Sequence, residues 1–383
     1  MRVLMVSDVY FPRVNGVSTS IATFRHELAA MGVEVDLIAP AYPNEVEQPG
    51  VTRIASRYLP FDPEDRMMRR GALMAQLPAL SKRGYALVHI QTPFVAHYSG
   101  LALARALGLK AVTTYHTFFE EYLHHYARVV PAGWTRALAR RFSRSQCNAT
   151  QGVIAPSTAM RDTLLAYGVK APIEVIPTGI PLTQFQPGDG SGFRATHGIG
   201  PERELALFVG RVAHEKNIDL LLQVADRARR QRPNLLLVVA GEGPAEAHLQ
   251  ALAGKLGLAG HVKFIGYLER ERALLDCYSA ADVFVFGSTT ETQGLVLLEA
   301  MAMGVPVLAI PVMGAKDILS PGRGCVPVST DPDEFAAALV ALLADPARRA
   351  GIGADARSYA QEWSAPATAQ RLAAFYQHVL GRG

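Results

Sequence analysis

Residues 1–40, MRVLMVSDVYFPRVNGVSTSIATFRHELAAMGVEVDLIAP, set two short apolar runs on either side of one helix-length stretch. Val3, Leu4, Met5 and Val6 make an apolar run too brief for a helix, and a loop containing Pro12 and Gly16 follows it. Helix-compatible sequence extends from about Val17 to Met31, Gly32 stops it, and VEVDLIAP supplies a second strand. The order strand, helix, strand predicts a parallel pair joined by a crossover. Parallel strands bury both faces under helices, so this stretch predicts an α/β domain.

Working outward, ALVHIQ from Ala86, AVTTYH from Ala111 and GVIAPS from Gly152 are further buried-strand candidates, each separated by helix-compatible sequence. A second start of the same kind begins at ELALFVGRV, passes through a helix near Asp219 to Arg230, and continues with LLLVVAGEG, HVKFIGYL, ADVFVFGS and PVLAIPV. The prediction is two Rossmann-like, doubly wound parallel-sheet lobes in series. IEVIPTGIPLTQFQPGDGSGF, rich in Pro and Gly, marks the junction. The expected division is 1–185 for the N-terminal lobe, 186–362 for the C-terminal lobe, and 363–383 for a C-terminal helix that crosses back to the first lobe. That last helix carries Leu372, Phe375, Tyr376 and Val379 on one stripe.

At 383 residues, 49% hydrophobic and 19% charged, the chain can bury a large core in each lobe. A net charge of +4 suits anionic small molecules or an anionic membrane surface and falls short of a nucleic-acid footprint. Cys147, Cys277 and Cys325 are far apart and lack CxxC spacing, so neither a disulfide framework nor a zinc site is expected. Asp8, Pro12 and Arg13 interrupt the N-terminus too early for a secretory leader, which predicts a cytoplasmic protein.

The stretch STTETQGLVLLEAMAMGVPVLA follows a predicted strand and places Glu291 and Glu299 on either side of a Gln-Gly turn. A loop-to-helix junction there offers backbone N–H groups to an anion, while both carboxylates accept hydrogen bonds from sugar hydroxyls. The competing reading makes Glu291 a helix-capping acid and Glu299 a solvated helix residue. In GRVAHEKNID, Arg211 and Lys216 follow the first strand of the second lobe and precede a helix. Two cations at the C-terminal edge of a parallel sheet suit a diphosphate, although loop cations are otherwise ordinary surface charges. His116, in TTYHTFFEEYLHHY, directly follows a first-lobe strand at the corresponding edge, where a structural hydrogen-bonding role is the alternative.

Together, TETQGLVLLEAMA, GRVAHEKN and the N-terminal FPRVNGVS resemble glycosyltransferase family 4, of GT-B fold, across nearly the whole chain. The resemblance implies two lobes facing across a cleft. The two glutamates match that family's E-x7-E motif, which implies that Glu291 contacts the donor sugar and Glu299 the ribose. Arg211 and Lys216 match its diphosphate pair, and Gly16 matches the glycine of the loop that approaches the donor phosphate. The amides of Gln293, Gly294 and Leu295 would hold the sugar with Glu291, and His116 would line the reaction centre. The activity implied is hexose transfer, with retention of configuration, from UDP-glucose or GDP-mannose to an acceptor hydroxyl. No cofactor or metal is expected; the nucleotide sugar is substrate. The YHTFFEEY stretch resembles relatives that glycosylate diacylglycerol or other lipids, which tilts the acceptor towards a membrane lipid or glycolipid.

Other features carry weaker readings. Asp8, Glu120 and Glu121 are candidates to touch an acceptor hydroxyl, whereas His124 and His125 are read as structural. Asp331-Pro332-Asp333 looks like a metal-binding DxD but precedes EFAAALVALL, so it reads as a helix cap. GEGP at Gly241 lacks the acidic ribose ligand of a nicotinamide site. Val262, Lys263 and Phe264 are placed near the nucleobase. Arg66, Arg69 and Arg70 with Met67, Met68, Leu73 and Met74 form one basic amphipathic candidate. Arg136, Arg140 and Arg144 opposite Trp134, Leu138 and Phe142 form another, blurred by Arg141. Either would meet an anionic bilayer at the inner face of the cell membrane. The alternatives are a soluble-acceptor glycosyltransferase, a sugar-nucleotide epimerase or hydrolase on the same fold, and a binding protein with a decayed site.

Overall fold

The computed structural model describes residues 1–43, 45–59, 62–116 and 132–381. The chain divides into two compact units, Met1–Gly179 with Ala365–Gly383, and Ile180–Ser364. In the first unit the strands are β1 (Arg2–Val6), β2 (Glu34–Pro40), β3 (Val51–Ile54), β4 (Ser56–Leu59), β5 (Asp62–Met68), β6 (Leu87–Ile90), β7 (Lys110–Thr114), β8 (Gly152–Ala155) and β9 (Ile173–Val175). Seven of them form one sheet in the order β3-β2-β1-β6-β7-β8-β9, every pairing parallel.

Alternation along β1 decides which helices cover which face. Val3 and Met5 pack with Ile21, Phe24 and Leu28 of the Gly16–Ala30 helix and with Leu372, Phe375, Tyr376 and Val379 of the Ala365–Gly381 helix. Leu4 and Val6 point the other way, into a core with Leu103 and Ala104 of the Val95–Leu107 helix. The C-terminal helix thus completes the first unit's core. Each of these four large apolar side chains is worth about 1.5–3 kcal/mol. The half-exposed Arg371–Glu174 pair at 3.9 Å contributes at most about 1 kcal/mol, so burial docks this helix. Gly152 permits the approach, because a Cβ there would lie 2.6 Å from Cζ of Phe375.

The second unit contains β10 (Glu204–Val209), β11 (Leu235–Ala240), β12 (Val262–Gly266), β13 (Val283–Phe286), β14 (Val307–Ala309) and β15 (Cys325–Pro327). Their order is β12-β11-β10-β13-β14-β15, again all parallel. In both sheets the first strand lies where the order reverses, β1 between β2 and β6 and β10 between β11 and β13. The loops leaving the C-terminal ends of those strands diverge to opposite faces, which makes the switch point the natural ligand crevice of each unit.

One sequence expectation needs correction. Arg66, Met67 and Met68 lie on β5, which pairs antiparallel with β4 in a separate ribbon, and Met68 and Leu73 are buried in the first core. Their spacing mimicked an amphipathic helix, but Met68 and Leu73 are core while Met67 and Met74 are half-buried. Val262, Lys263 and Phe264 lie on β12, an edge strand, in line with the strand reading of HVKFIGYL. The Asp331 cap is as expected: its Oδ1 accepts from the amides of Asp333 at 2.7 Å and Glu334 at 3.3 Å. The three cysteines are free and buried. Among the described residues no helix is long and apolar enough to cross a membrane.

Candidate active site

In the second unit, the switch point brings together the loop after β10 and the loop after β13. Asn217 closes the first loop in a left-handed conformation at φ 53°, which asparagine tolerates better than most residues. Its Nδ2 donates to Gly287 O at 3.1 Å, while Ser288 Oγ and Thr290 Oγ1 donate to Glu215 O at 3.0 and 3.3 Å. Three hydrogen bonds therefore lock the two loops to each other before any ligand arrives.

On that frame Lys216 Nζ forms an ion pair with Glu291 Oε1, both side chains mostly buried. Glu291 also fixes its own backbone, its carbonyl accepting from Gly314 N at 2.8 Å. Gly314 is required here, since a Cβ would lie 2.0 Å from Thr292 O. Gln293 and Gly294 lead into the Leu295–Ala302 helix, and Gly294, at φ 90°, is its N-cap with no side-chain cap bond. Glu291 is therefore not a capping acid, and the helix start retains the positive end of its dipole. Arg211 stands on the same loop as Lys216, 4.0 Å from Glu215.

Glu299, on the second turn of that helix, is 3% exposed, so the solvated-residue reading fails. Arg270 pairs with its Oε1, and Tyr278 donates to its Oε2 at 3.1 Å. Glu299 in turn raises the pKa of the Arg270 guanidinium, while burial foremost, then Glu299, pushes the Tyr278 phenol well above its usual range. Each carboxylate oxygen keeps lone-pair capacity for a ligand hydroxyl. Neither Arg270 nor Tyr278 was singled out in the sequence, because both reach Glu299 from a segment more than twenty residues away.

In the first unit Gly16 opens the Gly16–Ala30 helix, whose N-cap Asn15 accepts from Ser18 N at 2.8 Å. Beyond its chain neighbours and its own helix, a Cβ on Gly16 would meet nothing within 4 Å, so packing does not demand glycine there. His116 follows β7, half-buried, with Nε2 2.9 Å from Gln91 Oε1, and burial lowers its pKa to about 4. Asp8, a candidate to touch an acceptor hydroxyl, is buried. Its carboxylate accepts from Thr92 Oγ1 at 2.8 Å, Phe94 N at 3.2 Å and Ala96 N at 3.0 Å. Burial raises its pKa to about 6. Glu120, Glu121, His124 and His125 lie outside the described residues.

The Ala132–Cys147 helix buries Ala139, Ser143, Gln146 and Cys147. Arg136, Arg140, Arg141 and Arg144 are exposed, as is Leu138, while Phe142 is half-buried.

Residues 14–184 match the model described as Glycosyltransferase Family 4, and residues 192–359 match Glycosyl transferases group 1. The chain is 34% identical to alpha-monoglucosyldiacylglycerol synthase of Streptococcus pneumoniae, over 81% of this chain and 71% of that protein. It is 31% identical to the GDP-mannose-dependent alpha-mannosyltransferase of Mycolicibacterium smegmatis, over 100% of this chain and 98% of that protein. Among solved structures, sucrose-phosphate synthase from Thermosynechococcus elongatus superposes with a TM-score of 0.79 at 24% identity, covering 100% of both chains. Anabaena HepE in complex with UDP-glucose superposes with a TM-score of 0.78 at 18% identity, covering 99% of this chain and 100% of that one.

Proposed function

The chain belongs to glycosyltransferase family 4, with the GT-B fold, and from that premise we propose that it transfers a hexose from UDP-glucose or GDP-mannose to a hydroxyl of a membrane lipid or glycolipid, with retention and without a metal. The observation that carries the donor half is the Lys216–Glu291 pair at the switch point of the second sheet. An ammonium has three donors and a carboxylate uses only part of them, so Lys216 can keep Glu291 and still take a phosphate oxygen. In this reading Arg211 and Lys216 stabilise the charge that grows on the departing diphosphate. Glu291 with the amides of Gln293, Gly294 and Leu295 holds the sugar, and Glu299 accepts from the ribose. Gly16 and His116 take the donor-facing roles that the family resemblance implies.

The lipid half rests on the exposed face of the Ala132–Cys147 helix. Four arginines and Leu138 share it, and its sequence contains no acid. Such a surface favours anionic headgroups at roughly 1 kcal/mol per cation. The name of the pneumococcal relative, a diacylglycerol glucoside synthase, supports the same acceptor class.

The test is nucleotide diphosphate release by purified protein with each donor, with and without anionic liposomes containing diacylglycerol, and with Glu291→Gln as control. The expected result is release from one donor that requires lipid, survives EDTA and disappears in the variant. Release that ignores lipid overturns the acceptor, loss with EDTA overturns metal independence, and full activity of Glu291→Gln overturns the donor site. Product anomer analysis by proton NMR decides retention.

A further inference from the structure

We propose that Gln91 is a positioning residue for His116: its side-chain oxygen holds the imidazole in the Nε2–H tautomer, leaving Nδ1 as the acceptor offered to a hydroxyl of the reacting sugars. The inference rests on the donor-facing role given to His116 above.

Gln91 follows β6 directly and His116 lies two residues beyond β7, its parallel neighbour, so the two side chains leave the same end of adjacent strands. Gln91 is 3% exposed, and its amide N–H bonds Val6 O at 2.9 Å, which extends the β1–β6 ladder by one residue. A side chain on so fixed a backbone is a rigid reference for its neighbour. The contact itself is 2.9 Å, from Gln91 Oε1 to His116 Nε2.

A neutral imidazole carries one N–H and one lone pair. Burial keeps His116 neutral down to a pH of about 4. An amide oxygen only accepts, so the ring nitrogen facing it bears the proton. Nothing described nearby competes. His89 stands on β6, two residues before Gln91, but spends both ring nitrogens, on Tyr376 OH at 2.6 Å and Thr114 Oγ1 at 2.7 Å. The small cavity beside the pair is lined by Thr92, Thr114, Gln146 and Cys147 as well, and burial pushes the Cys147 thiol up to about 12, so no charge faces the imidazole from these elements. Gln146 is engaged elsewhere, donating to Pro93 O at 2.6 Å.

The experiment has two arms on the full chain. In protein labelled with 15N-histidine at pH 8, with His116→Ala identifying the resonance, the ring shifts of His116 should report Nε2–H; an Nδ1–H pattern overturns the proposal without any Gln91 variant. In transfer assays Gln91→Met, close in shape but without the acceptor, should lower kcat about tenfold to a hundredfold with donor KM within twofold. Gln91→Glu should restore most of the rate and the Nε2–H signal. The double variant His116→Ala with Gln91→Met should be no slower than His116→Ala alone. Full kcat in Gln91→Met beside an impaired His116→Ala overturns the role of Gln91 and leaves that of His116 standing. Wild-type transfer by His116→Ala overturns both.

Discussion

Tyr278 donates its hydroxyl to Oε2 of Glu299 at 3.1 Å, while Arg270 holds the other oxygen. A carboxylate buried to this degree is retained only because both oxygens are paired. Glu299→Gln removes the charge but keeps the shape. The expected outcome is a loss of donor affinity of about 1.5–3 kcal/mol, or tenfold to a hundredfold, as for a hydrogen bond to a charged group. Calorimetric titration with UDP-glucose and GDP-mannose measures it, and unchanged affinity for the donor that turns over would remove Glu299 from the ribose site.

Lys216 and Glu291 neutralise each other in the ligand-free protein, so their substitutions should diverge. Lys216→Ala strips a cation from the diphosphate and should lower kcat by about 10²–10³, near 3–4 kcal/mol. Glu291→Gln should also lose transfer, yet it frees Lys216, so the product nucleotide diphosphate should bind no more weakly than to wild type. Equal weakening of product binding in both variants would contradict the separate roles given to the two residues.

How much of this was legible in the chain depended on the reach of each interaction. The apolar runs of β1 and β10, and the helices after them, declare both sheets locally, because burial on two faces leaves unbroken hydrophobic sequence. Glu291 and Glu299 were visible as a spaced pair inside one strand-loop-helix unit. Arg270, Tyr278 and Gln91 were not, since each acts on a partner at least twenty residues away across the fold and carries no spacing signal of its own. Met67 and Met68 misled for a different reason: the run is short, and as neighbours on β5 they point to opposite faces, so that only Met68 enters the core.

Asp8 caps a helix to which it does not belong. The Val95–Leu107 helix has no side-chain cap bond from its own N-cap, Phe94, and the Asp8 carboxylate at the end of β1 takes the Phe94 and Ala96 amides instead. Asp8→Ala should therefore cost about 1–2 kcal/mol, the range of a lost N-cap. Denaturant melts give the value; a change within about 0.3 kcal/mol would mean that water replaces the carboxylate there without penalty.

Acid should destabilise the first unit, and Asp8 should blunt the effect. His89, His97 and His116 have folded pKa values lowered by burial to about 3, 4 and 4, against 6.5 for the free side chain. As pH falls below 6.5 the unfolded chain takes up protons that the folded one refuses, so stability present above 6.5 is lost progressively towards pH 4 and below. Asp8 has the reverse sign. Its folded pKa of about 6 exceeds the free value of 3.8, so its contribution is fully present below 3.8 and is lost as pH rises through 6. Three groups oppose one between pH 4 and 6, and the melting temperature should fall on acidification across that window. In Asp8→Asn the opposing contribution is gone, so the fall should be steeper than in wild type once both are referred to their values at pH 7.5. A calorimetric pH series decides the matter: a flat wild-type profile would contradict burial of the three neutral imidazoles, and a shallower profile in the variant would contradict the raised pKa of Asp8.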